Sequence, residues 1–126
     1  MAIDYGEKRV GIASTDESGE FALPRVVLAN DASLLENVLT LKEADKAELV
    51  VMGESRNLDG LPNPISSEIQ KFKTRLEEKG VEVKLHPEVL TTREARQIQG
   101  NTNMTDASAA ALILKSYLDS RYNRVT

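Results

Sequence analysis

Four carboxylates stand where the chain changes direction: Asp4 after the apolar start "MAI", Glu54 after "LVVMG", Glu88 after "VEVKLHP", and Asp106 in "MTDASAAALILKSYLD". Taken singly, each has a plain explanation. Asp beside Gly favours a turn, as at Asp4-Tyr5-Gly6, and an Asp at a helix start caps it and meets the positive end of the helix dipole, with Thr105 as a rival cap for Asp106. Glu54 and Glu88 alone read as solvated loop acids. Together the four are harder to set aside, because clustered carboxylates repel one another unless something positive lies among them. Hard oxygen donors of this kind suit Mg²⁺ or Mn²⁺.

Other chemistries have less support. The single histidine, His86, argues against a His-based zinc site or a Ser–His–Asp triad, and it reads as a residue ending a strand at the surface. There is no Walker-type phosphate loop, and Gly6 with Gly11 do not make a dinucleotide fingerprint. The basic residues near the acids are Lys8, Arg9, Arg56, Arg93 and Arg96. They are either ordinary solvated charges or contacts to phosphates beside a metal site.

The elements that must position these groups follow from hydrophobic period. Residues 1–5 and 8–16 read as strands around a turn, and "FALPRVVLA" (21–29) as a third, which Pro24 assigns to an edge or an irregular position. This start predicts an antiparallel meander. Residues 31–46 carry Leu34, Leu35, Val38 and Leu39 at helical spacing, with Asp31 or Ser33 as cap. Residues 48–54 read as a buried strand and 64–80 as a helix striped by Ile65, Ile69, Phe72 and Leu76, between Pro64 and Gly80. Residues 81–86 alternate as a strand. A short helix over 91–99 and a long one over 104–122 complete the chain, with loops at 55–64 and 100–105. Strands alternating with helices in the second half predict parallel neighbours, hence a mixed α/β sheet covered by helices. In such sheets, sites form beyond the carboxyl ends of parallel strands, where Asp4, Glu54 and Glu88 would converge. On the last helix, positions 106, 110, 113 and 117 share a face, so Asp106 begins a stripe continued by Ala110, Ile113 and Tyr117.

With 126 residues the chain has the size of one domain, expected to span 1–126, and can bury a core without staples. The absence of Cys fits a reducing compartment, so a cytoplasmic location is expected. No apolar run reaches the roughly 20 residues that cross a bilayer, and no membrane partner is expected. Sixteen Lys+Arg against 20 Asp+Glu give a net charge of −4, which counts against strong non-specific nucleic-acid binding but leaves room for a local basic groove. An aromatic content of 4% argues against an extended base-stacking platform.

In chain order, "IDYGEKRVGIASTD", "LVVMGESRNLDG", "LTTREAR" and "TDASAAALILKSYLD" resemble the YqgF family, also called RuvX, along nearly the whole length. The resemblance implies an RNase H-like fold: a five-stranded mixed sheet, an antiparallel meander plus parallel strands, flanked by helices, with acids gathered at its centre. It also implies a nuclease acting on phosphodiester bonds, either trimming the 5′ end of pre-16S rRNA or resolving Holliday junctions. Residue by residue, Asp4 resembles the family's first catalytic acid, Glu88 the acid before its L-T-T, and Asp106 the acid on the last helix.

Three departures stand out. Where Glu54 stands the family more often reads G-L-P, although RuvC resolvases are expected to carry a Glu there, so Glu54 is a fourth ligand or a replacement for Glu88. The family's D-E-R is Pro87-Glu88-Val89 here, and the usually longer, basic connection before the last helix shrinks to "GNTNMT". The implied mechanism places Mg²⁺ or Mn²⁺ ions roughly 3.5–4 Å apart, with Asp4 bridging, Glu54 or Glu88 and Asp106 completing the shells, and Lys8, Arg9, Arg56 and Arg93 meeting the nucleic acid. Structured RNA or branched DNA is the expected partner, and a junction resolvase would present two symmetry-related sites as a homodimer. Two other readings compete: an RNase H-like nucleic-acid binding module without catalysis, and an actin-like phosphate loop at "IDYG", for which 126 residues supply only one of two lobes.

Overall fold

The computed structural model describes residues 1–16, 18–19, 21–54, 64–87 and 104–123, with backbone only for 64, 87, 104–106 and 121–123. Five strands form one mixed sheet: β1 (Ala2–Tyr5), β2 (Arg9–Thr15), β3 (Ala22–Ala29), β4 (Val50–Glu54) and β5 (Val83–Pro87), in the spatial order β3-β2-β1-β4-β5. The first three make the expected antiparallel meander. β4 lies parallel to both β1 and β5, and the β4-to-β5 connection carries α2 (Pro64–Glu78) across one face. α1 (Leu34–Ala44) and α3 (Met104–Asn123) complete the helices of the described residues. The short helix expected over 91–99 and the loop at 55–63 lie outside them.

Period explains the layering. Ile3, Val10, Ile12, Val50 and Met52 project to one face, where they meet Leu34 and Val38 of α1 and the Ile69, Phe72 and Leu76 stripe of α2. Ala2, Ala13 and Val51 project to the other, against Ala110, Ile113, Leu114 and Leu118 of α3. The two faces differ in depth because their residues differ in size. Alanines at 2, 13, 107, 109 and 110, all fully buried, let α3 approach the sheet closely.

β3 is an edge strand, as Pro24 requires, since a proline in a central strand would delete a ladder hydrogen bond. Its pairing with β2 steps from Ile12↔Val26 to Ala13↔Pro24, so Arg25 is the extra residue of a bulge. Arg25 Nε reaches Asp45 at 3.3 Å, and the same carboxylate accepts a 2.7 Å bond from the hydroxyl of the buried Ser14. The bulge therefore ties edge strand, β2 and the end of α1 together.

Two local boundaries differ from the sequence reading. α1 begins at Leu34, and the Asp31 carboxylate, not the Ser33 hydroxyl, does the capping by accepting the Ser33 N–H at 2.9 Å. β2 begins at Arg9 because Gly6, Glu7 and Lys8 form the turn. α3 begins at Met104, where the helix read over 104–122 starts, and runs to Asn123. Among the described residues no helix is long and apolar enough to cross a membrane.

Candidate active site

Asp4 is the third residue of β1, the central strand of the sheet, and is only 5% exposed. Strand alternation gives it the phase of Ala2, toward the face covered by α3. Directly across on β2 stands Gly11, and one step beyond the Ile3↔Met52 pair on β4 comes Gly53. Neither glycine brings a side chain to the surroundings of Asp4. Burying a carboxylate costs several kcal/mol unless polar or cationic groups compensate. An apolar residue would fill this position at less cost, so the acid is not explained by packing.

The other candidates are distributed around that end of the sheet. Because β1, β4 and β5 are parallel, their carboxyl ends lie together, and Glu54 and Pro87, the last residues of β4 and β5, are paired there. Glu54 is half-buried. Its pleat phase is that of Val50 and Met52, the opposite of Asp4's, so the two acids leave the sheet toward different faces. Glu88 follows Pro87 directly but lies outside the described residues, as do Arg56, Arg93 and Arg96. Asp106 is in the first turn of α3, four residues before Ala110 on the stripe whose Ala110 and Ile113 pack on the face that Asp4 shares. Farther along, Leu114, Tyr117 and Leu118 line a cavity with Met1 and Leu49 at the amino ends of β1 and β4. The helix thus descends toward those amino ends, and its first turn is the end turned away from them. Among the described residues no three His, Asp or Glu side chains converge, and the side chains of Glu88 and Asp106 are not in that set.

Beside Asp4, the β1–β2 turn carries Lys8 and Arg9, both exposed. Gly6 is required at this turn: a Cβ there would stand 2.5 Å from the Arg9 carbonyl oxygen. From the end of β3, Asn30 fixes the turn twice. Its Nδ2 donates to the Gly6 carbonyl at 2.7 Å and its backbone N–H to the Lys8 carbonyl at 2.9 Å. Two cations are thereby held on a braced turn at the carboxyl end of the central strand.

His86 is not a free surface residue. Its Nε2 lies 2.8 Å from the Ser116 hydroxyl and its ring is edge-on to Tyr117 at 6.2 Å, joining β5 to α3. Burial lowers its pKa below the usual histidine range. Alternation in "VEVKLH" predicts which face of β5 it occupies but gives no signal of its partner thirty residues later.

Asp4 offers the hard oxygen that divalent ions such as Mg²⁺ take, at a strand end whose neighbours across the sheet are Gly11 and Gly53. The family model described as "RuvX: Holliday junction resolvase" matches residues 1–120. A protein of Escherichia coli K12 named "Putative pre-16S rRNA nuclease" is 35% identical, the match covering 97% of this chain and 96% of that protein. Among solved structures, Thermus thermophilus RuvC superposes with a TM-score of 0.56 at 16% identity, covering 96% of this chain and 94% of that one. The fowlpox virus resolvase in complex with Holliday junction DNA gives 0.54 at 12% identity, covering 94% and 95%. Those identities speak to the fold alone, which is RNase H-like, whereas the match to the family model runs along nearly the whole sequence. The chain belongs to the RuvX family.

Proposed function

We propose that this protein is a metal-dependent nuclease that hydrolyses phosphodiester bonds in structured RNA or branched DNA, with Asp4, Asp106 and at least one of Glu54 and Glu88 as its acids. The observation that carries the reading is Asp4 itself: a carboxylate buried at the carboxyl end of the central strand, on the face covered by α3, whose first turn holds Asp106. Bound divalent ions would supply an activated water and stabilise the leaving oxygen of an in-line displacement. The chain's own contribution is to hold hard oxygens in a rigid, poorly solvated position and to meet phosphate charge with Lys8 and Arg9 on the braced turn. Glu88 has the better sequence position for the Asp4 side, because the pleat sends Glu54 to the other face.

Cleavage of a labelled four-way DNA junction and of a 5′-extended ribosomal RNA, with and without Mg²⁺ or Mn²⁺, tests this. Metal-dependent cutting that disappears in Asp106→Asn is the expected result, and the substrate that is cut identifies the nucleic acid. Binding without cutting under every metal condition would overturn it in favour of a binding module, a reading to which the net charge of −4 and the shortened "GNTNMT" connection lend some support.

A further inference from the structure

Tyr5 follows Asp4 in β1 and has the opposite pleat phase, toward α2. Its ring is half-buried and lies 5.4 Å from the ring of Phe72, tilted by 42°. Between Tyr5 and the exposed side of α2 runs an open cleft of about 520 Å³, a volume within the range of small-ligand sites. Two cations line it, Lys71 and Arg75, spaced one helical turn apart on α2 and both exposed. Lys71 is offset by Glu68 at 3.6 Å, which also lines the cleft. Arg75 has no carboxylate partner among the described residues, and the described lining of the cleft carries two cations against the one acid, Glu68, beside an aromatic ring.

We propose that this cleft binds one nucleotide unit of the substrate strand next to the scissile phosphate, its base against the Tyr5 ring and its phosphate at Arg75, with Lys71 assisting. This rests on the nuclease reading of Asp4. Two physical arguments support the occupant. The first is continuity: Tyr5 follows Asp4 at the carboxyl end of β1, and although the two side chains take opposite faces, a strand whose phosphate is at Asp4 reaches the Tyr5 face by passing round that end. The second is complementarity. A ring beside a guanidinium is the pairing that single-stranded nucleic acid uses, since every base offers a π-face and every unit a phosphate. A duplex held by pairing and stacking offers no such unit, so the cleft selects a single-stranded or opened segment.

The test is binding of a short fluorescein-labelled oligouridylate and its DNA counterpart by anisotropy, in excess EDTA so that the acid cluster contributes no metal. Tyr5→Leu should weaken binding at least about fivefold, the low end of base–aromatic stacking, and Tyr5→Phe should retain it. Lys71→Ala/Arg75→Ala should weaken it about tenfold and reduce the salt slope by about 1 to 2. Lys79, exposed just past the end of α2 and not in the cleft lining, supplies a control for the loss of a surface charge, and Lys79→Ala should bind as the wild type does. Because Tyr5 also packs on Phe72, the exposed pair at 71 and 75 keeps the test decisive if Tyr5→Leu folds poorly. Wild-type cleavage of the junction or precursor RNA together with unchanged binding by the double variant overturns the cleft and leaves the nuclease reading standing. A wild-type protein that neither cuts nor binds overturns both.

Discussion

His86 Nε2 and Ser116 Oγ, 2.8 Å apart, make a polar cross-link between an outer strand of the sheet and the helix that carries Asp106. Burial holds His86 below its ordinary value near 6.5, so the folded protein favours the neutral ring. The sign follows from proton uptake. As pH falls through about 6.5 the unfolded chain takes up a proton that the folded chain refuses, so this contribution to stability is complete above that value and declines below it. Because His86 is the only histidine, the comparison is clean. Thermal melts from about pH 7.5 to pH 5 should show the wild type losing more stability than His86→Gln. Parallel curves would mean that the bond does not report on the protonation of His86.

Asp4→Asn keeps the shape of the buried side chain and removes its charge. On the proposed mechanism cleavage falls by more than about a hundredfold, the upper range for groups that merely support a metal ligand. Stability should hold or rise, because a charge that is costly to bury is gone. Single-turnover cleavage and urea denaturation on the same preparation measure both. Full activity in this variant would remove Asp4 from the mechanism.

The braced turn gives a paired prediction. Gly6→Ala drives a methyl group against the Arg9 carbonyl and should cost more than about 1 kcal/mol, because the obstacle is backbone and cannot rotate away. Asn30→Ala loses one side-chain bond and should cost about 1 kcal/mol. Amide exchange should speed up at Glu7 and Arg9 in both variants, and denaturant midpoints give the magnitudes.

Leu76 is fully buried between α2 and the sheet. Leu76→Ala should destabilise by about 2–5 kcal/mol, against less than about 1.5 kcal/mol for Leu76→Met. Equal losses in the two variants would show that this part of the core is loosely packed.

Much of this fold is legible in residue pattern. The two-residue alternation around Asp4, the Ile69, Phe72 and Leu76 stripe, and Pro24 at an edge each follow from a local rule, and each is found where the rule puts it. The stripe beginning at Asp106 is also readable, since Ala110 and Ile113 do face the sheet. What escapes the pattern is pairing between distant residues. Nothing in the sequence links His86 to Ser116, Asn30 to the carbonyl of Gly6, or Arg25 to Asp45, because each contact depends on where two separately formed elements meet. Glu54 shows the same limit more sharply. Its position after "LVVMG" suggests convergence with Asp4, but the face it takes depends on the β1–β4 register, which sets Ala2 against Val51. The single-residue difference in phase between the two acids is invisible until that register is known.

The strand order has a consequence for the newly made chain. β1, β2 and β3 can zip together as soon as they leave the ribosome, because each pairs with its neighbour in sequence. The other side of β1 must wait for β4, the first strand after α1. Until Val50–Glu54 emerges, the apolar "AIDY" strand is an open template, the kind of edge that recruits a second chain. A product cut short before β4 is therefore an aggregation hazard, and the central strand that carries Asp4 is shielded on both sides only once residues 50–54 have arrived.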